Sequence, residues 1–154
     1  MKHIISLHFL LLIMLTSCHK AESNEKSMLI FGQFHGFCMG EKCIETFKVT
    51  DSELYEDTTD QYKGIDGFQF VSLSQNKHSE VKDLLVKIPT ELWFEDDKRV
   101  FGCPDCYDQG GFLIQMEKNG MTKSWFFDKD IKSNPDYLQA FLNQVSDKIL
   151  IINN

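Results

Sequence analysis

Phe112-Leu113-Ile114-Gln115-Met116-Glu117-Lys118-Asn119-Gly120-Met121-Thr122-Lys123-Ser124-Trp125-Phe126-Phe127-Asp128 sets two apolar runs on either side of Asn119-Gly120. Asn-Gly adopts the left-handed backbone angles that a tight two-residue turn requires, so the stretch predicts an antiparallel hairpin with strands over 112–117 and 121–128. A lone hairpin is marginal in water and needs its apolar face covered. Cover is expected from the segment that follows. Asn134 reads as a helix N-cap with Pro135 at the first helical position. Leu138, Phe141, Leu142, Val145 and Ile149 then form one apolar stripe at helical spacing.

Upstream, the same logic yields more local strands. Met28 to Phe37 is apolar and aromatic, broken by Gly32 and Gly36, and reads as a bent strand. Ile44–Thr50 and Leu54–Asp57 flank the turn signal Asp51-Ser52 and predict a second hairpin. Thr58 to Gly67 is a polar loop, and Phe68 to Leu73 alternates like a strand. A helix is expected after the N-cap Ser74, with Val81, Leu84, Leu85 and Ile88 on one face and Pro89 ending it. Beyond it, Trp93 and Phe94 are expected to cover the core, while Glu95-Asp96-Asp97 forms a solvated loop. Hairpins that precede and separate helices, without β-α-β alternation, predict an α+β domain over 28–154. Its sheet is mainly antiparallel, of about five to six strands, with two helices packed on one face.

Composition narrows the function classes. The 154 residues are 42% hydrophobic and include 13 Phe, enough for a sizeable core. Net charge is −7, and no Lys/Arg cluster offsets it. An acidic surface without a basic patch repels phosphate backbones and anionic headgroups, so nucleic acid is not an expected partner. Gly-x-Ser-x-Gly, Walker, His-Glu-x-x-His and Gly-x-Gly-x-x-Gly motifs are all absent from the sequence. No catalytic residue is assigned, and the reading leans away from an enzyme.

The first residues carry an address. Met1-Lys2-His3 is a short positive start, and Ile4 to Leu15 is an apolar run interrupted only by Ser6 and His8. Such a run is too short to span a bilayer permanently and has the polarity gradient of a secretory signal peptide over 1–17. It ends in Leu15-Thr16-Ser17-Cys18: an apolar residue, two small ones a peptidase can grip, and a thiol. These four residues resemble the lipobox of bacterial lipoprotein precursors. The resemblance implies cleavage before Cys18 and covalent diacylglycerol and N-acyl (palmitate-type) lipid on that residue. Several acyl chains exceed the single chain that anchors only marginally. His19, in place of Asp, points by the same resemblance to the outer rather than the inner membrane. Residues 18–27 lack apolar periodicity and read as a flexible tether. With Lys2 the only charged residue before Cys18, the mature chain holds 15 basic against 23 acidic residues, a net −8.

Four cysteines remain, as Cys38-Met39-Gly40-Glu41-Lys42-Cys43 and Cys103-Pro104-Asp105-Cys106. Close spacing in an exported chain favours disulfides, and of three possible connectivities the two local ones fit best. A cross-linked pairing between the two loops stays open at this point. Two alternatives use the same residues. Cys38, Cys43, Cys103 and Cys106 could supply a four-thiolate zinc site, with His35 as a substitute ligand. Cys103 and Cys106 could instead form a redox dithiol, although a strand rather than a helix follows them and Asp105 and Asp108 lie nearby. Asp105, Asp108 and Gln109 do not match a calcium-loop spacing. Phe31, Phe34 and Phe37 recur every three residues and are expected to serve the core. His78, near the start of the helix after Ser74, is expected at the surface.

Past the lipobox, Phe31-Gly32-Gln33-Phe34-His35-Gly36-Phe37-Cys38 and Phe101-Gly102-Cys103-Pro104-Asp105-Cys106-Tyr107-Asp108-Gln109-Gly110-Gly111 resemble segments of a group of small uncharacterised bacterial lipoproteins. That resemblance brings a recurring module and no activity. The expectation is a lipid-anchored envelope lipoprotein, periplasmic or surface-exposed. It would act as a non-enzymatic binding or accessory module with disulfide-braced loops, its partner an unknown envelope protein or ligand.

Overall fold

The computed structural model describes residues 27–38, 43–59 and 65–154. The lipobox, most of the tether and the middle of the Thr58 to Gly67 loop lie outside the described residues.

Among the described residues, seven strands form one sheet in the order β4-β3-β2-β1-β6-β7-β5. They are β1 (Met28–Phe34), β2 (Ile44–Thr50), β3 (Leu54–Asp57), β4 (Phe70–Ser72), β5 (Arg99–Phe101), β6 (Gly111–Lys118) and β7 (Met121–Asp128). All neighbours are antiparallel except β5, which lies parallel to β7. The fold is thus the expected α+β class, with more strands than the five to six expected. The two expected hairpins are β2–β3 and β6–β7, the second turning at Asn119 (φ 55°) and Gly120 (φ 73°).

Period-2 alternation sends Leu29 and Phe31 from β1, Phe47 and Val49 from β2, and Ile114 and Met116 from β6 to the same face. Trp125 and Phe127 from β7 join them. On this face lie α1 (Gln75–Val81), α2 (Leu84–Lys87) and α3 (Asp136–Ile152). The α3 stripe of Leu138, Phe141, Leu142, Val145, Ile149 and Ile152 is fully part of that core. Among the described residues no helix is long and apolar enough to cross a membrane.

Several expectations need correction. β1 stops at Phe34, because Gly36 and Phe37 turn the chain, and β4 is shorter than the predicted 68–73. The helix after Ser74 is two pieces: Ser74 Oγ caps α1 by accepting from Lys77 N at 3.4 Å, but the chain tightens at Lys82-Asp83. There Leu85 N and Val86 N donate to residues three back, a geometry that does not propagate far. Asp83 is held at the break by Lys87 (2.7 Å) and Lys148 (3.2 Å). His78 is buried rather than surface-facing, its Nε2 at 3.0 Å from Thr50 O. It lies three residues before Val81 and so shares that residue's inward face.

Phe94 does not cover the core. The 3₁₀ segment Thr90–Phe94 buries Leu92 and leaves Phe94 90% exposed, while Trp93 packs edge-on against Trp125 with centroids 6.3 Å apart. Asn134 is not an N-cap: Pro135 occupies that position and makes no side-chain cap bond. Asn134 is instead buried, accepting from Asp128 N at 3.2 Å and donating to Asp128 O (3.0 Å) and Asp130 O (3.1 Å). The end of β7 leaves backbone groups without strand partners, and this amide satisfies them.

Candidate functional site

Antiparallel register defines two poles of the sheet. At one, Phe34 of β1 stands beside Ile44 of β2 and Gly111 of β6. At the other, Met28 stands beside Thr50 and Glu117. The seven-residue β1 separates them by roughly 20 Å at about 3.3 Å per residue.

Both cysteine pairs lie at the Phe34 pole. Cys38, just past β1, is disulfide-bonded to Cys43, just before β2, with Cα atoms 5.4 Å apart. Cys103 is bonded to Cys106 with Cα atoms 5.5 Å apart, in the connection from β5 to β6. These are the two local pairings. They differ in accessibility by one residue: Cys38 is exposed and Cys43 only 5% exposed, whereas Cys103 and Cys106 are both exposed.

The 102–110 loop is held by its own polar groups. Gly102, Asp105, Asp108 and Gly110 all take positive φ, which Gly and Asp tolerate best. Asp105 N donates to Gly110 O at 2.9 Å, and Gly110 N returns a bond to Asp105 Oδ1 at 3.0 Å. The Gln109 amide accepts from Tyr107 N (2.7 Å) and donates to Cys103 O (2.9 Å). Asp128 Oδ2 accepts from Cys103 N at 2.9 Å, and its Oδ1 accepts from Asp130 N, which ties the loop to the start of the α3 region. Asp105 and Gln109 therefore serve the loop's own backbone.

The 102–110 loop touches the segment that runs from the end of β1 toward Cys38. A Cβ on Gly36 would fall 1.9 Å from Asp105 Oδ2, and one on Gly110 would fall 2.2 Å from Phe34 O and 2.5 Å from His35 Nδ1. His35 is thus half-buried against the 102–110 loop. Burial pushes its imidazole below the usual value, the Lys129 cation pushes the same way, and Asp105 pulls against both. Lys129 is itself lowered by burial; its Nζ donates to Gln33 Oε1 at 2.7 Å and sits 4.3 Å from the Phe112 ring centre.

Two surface features complete this pole. Phe37 and Tyr107 are each 89% exposed, so Phe37 departs from the expected core role of the Phe31, Phe34, Phe37 series. Beside the second disulfide, Phe34, Val100, Pro104 and Phe126 join Cys103 and Cys106 around an open, mainly apolar depression of about 390 Å³. Phe34 and Phe126 meet edge to face at 6.0 Å. Sequence reasoning missed Val100, Phe126 and Asp128 here, because it found no strand at 99–101 and could not place β7 beside it.

A larger depression, about 500 Å³, lies at the Met28 pole and is lined by Thr50, Asp51, Glu53, Tyr55 and Glu117. Tyr55 Oη donates to Glu53 there, which raises the phenol's pKa. Among the described residues no group of three or more His, Cys, Asp or Glu side chains converges into a metal-binding set. The disulfide pole, with bonded cysteines, exposed aromatics and an apolar hollow, is the better candidate site. No protein-family model matches the chain, and no curated protein matches it in sequence.

Proposed function

We propose that this chain is an exported envelope lipoprotein, anchored through lipid on Cys18, that works as a non-enzymatic binding or accessory module. Its working surface is the disulfide pole. The observation that carries the reading is the gathering of both disulfides, Phe37 and Tyr107 at the sheet end opposite Met28. Disulfides suit an oxidising compartment outside the cytoplasm. A chain tethered through residues 18–27 meets the sheet at Met28, so the braced pole is the end farther from the attachment point and is left free to meet a partner. The acidic residues near Met28 give that end no attraction to anionic lipid. Outer-membrane placement, periplasmic or outward-facing, fits the residue after Cys18. The partner is an envelope protein or ligand that meets exposed aromatics on a rigid frame, a low-entropy way to present contact area.

Two measurements test this. Cys18→Ala should abolish incorporation of an alkyne-labelled palmitate and shift the protein from the membrane to the soluble fraction; a variant still retained on the membrane would overturn the anchor. In living cells, a photo-cross-linking residue at Phe37 or Tyr107 should give a discrete adduct, whereas one at Met121, exposed at the opposite pole, should not. Equal labelling from both poles, or none from Phe37 and Tyr107, would remove the disulfide pole as the working surface.

A further inference from the structure

The two disulfides have different relations to the fold. The 102–110 loop is over-determined without its sulfurs: the reciprocal Asp105–Gly110 bonds, the Gln109 amide and the Asp128 carboxylate fix its path independently. Opening Cys103–Cys106 is therefore expected to leave the loop in place. Both of its residues are exposed, whereas the other pair joins an exposed Cys38 to a buried Cys43. Exposed disulfides are the exchange-prone ones, because attack requires in-line access to a sulfur. The same two cysteines line the apolar depression together with Phe34, Val100 and Phe126. Val100 belongs to β5, one of the two edge strands of the sheet, and is 54% exposed. Extended peptides dock against such edges with alternate side chains in adjoining pockets.

We infer that Cys103–Cys106 is a covalent docking site for a partner's cysteine that lies in an extended segment beside an apolar residue. The apolar side chain seats in the depression against Phe34, Val100 and Phe126. The partner's thiolate then bonds to one sulfur of the pair, the Cys103–Cys106 bond breaks, and the displaced sulfur leaves as a thiolate that takes a proton from water. Attack by that freed thiol on the mixed disulfide reverses the step, with no net oxidant or reductant consumed. Among the described residues no helix N-terminus abuts Cys103, and its N–H donates to the Asp128 carboxylate, so the site lacks the electropositive setting of a dedicated thiol oxidoreductase. Reversible capture suits it better than turnover. This rests on the disulfide pole being the working surface and adds the chemical class of its partner.

The test uses the mature protein with its disulfides intact and two short peptides of matched thiol chemistry, Leu-Cys-Leu and Ser-Cys-Ser, with blocked ends. Adducts are mapped by peptide mass spectrometry while near-ultraviolet circular dichroism reports tertiary packing. The expected result is an adduct on Cys103 or Cys106 only, formed at least tenfold faster with the apolar peptide, with packing unchanged and Cys38–Cys43 intact. Val100→Asp, an exposed change away from the sulfurs, should erase most of that preference. Equal rates for the two peptides, no adduct, or opening only with loss of packing would each overturn the inference. Benzyl mercaptan reacting as fast as Leu-Cys-Leu would overturn the peptide partner by showing that the backbone adds nothing. Cross-links from Phe37 or Tyr107 without exchange would sink only the covalent step; exchange without cross-links would sink the envelope-partner reading instead.

Discussion

Replacing Trp125 with alanine is expected to destabilise the fold by about 3–5 kcal/mol, the range for deleting a fully buried large aromatic. Trp125 is 0% exposed and lies in β7, between Ile114 of β6 and Arg99 of β5 in the sheet register. Three separate losses combine. The indole fills the helix-covered core, so its removal leaves a cavity that rigid neighbouring strands close only in part. Its edge-to-face contact with Trp93 disappears, freeing the one aromatic that the 90–94 segment lays against the core. Its Nε1 also donates to Asp96 O at 3.0 Å and so pins the connection that leads into β5. Against a total stability of about 5–15 kcal/mol, that is a large fraction. The measurement is the urea midpoint by far-ultraviolet circular dichroism, which does not depend on the deleted fluorophore. Trp93→Ala, at a half-buried position, should cost clearly less. Equal costs for the two would contradict the placement of Trp125 at the centre of the core.

Local signals carried most of the legible fold. The bounds of β2 and β3 follow directly from the alternation on either side of Asp51-Ser52, and the β6–β7 turn from Asn119-Gly120. The α3 stripe was legible because its period extends over several turns. What escaped depends on long-range pairing. β5 is three residues long, too short for a period, and exists because it lies parallel to β7 more than twenty residues later. The helix break at Lys82-Asp83 escaped because apolar spacing continues through it, while the backbone there tightens. Phe94 and Trp93 are both large and apolar, and only the tight geometry of their segment decides which one turns inward. The site shows the same division. Each cysteine pair was legible from its short spacing. That the two pairs share one pole follows from β1 pairing with β6, which brings Phe34 beside Gly111 across nearly eighty positions of sequence.

Gly32→Ala should be nearly as damaging as the loss of Trp125, although it adds one carbon to a surface-poor strand. A Cβ at position 32 would fall 2.3 Å from Glu45 O, 2.9 Å from Thr46 Oγ1 and 3.0 Å from Thr46 Cα. Two of those atoms are backbone of β2, in the central β1–β2 ladder where Gly32 pairs with Thr46. A flexible side chain could swing aside, but a paired strand can retreat only by lengthening its ladder bonds. The expected cost is about 3 kcal/mol, at the upper end of what overpacking usually causes. It should read out as a lowered urea midpoint and faster amide exchange in β1 and β2. Gly120→Ala separates this steric effect from backbone strain. Nothing lies within 4 Å of a Cβ there, yet φ is +73°, so the substitution should cost only about 1–2 kcal/mol of left-handed backbone penalty. If Gly32→Ala proved no worse than Gly120→Ala, the close approach of β1 to β2 at Glu45 and Thr46 would be wrong. The path of β1 toward the disulfide pole would then need redrawing.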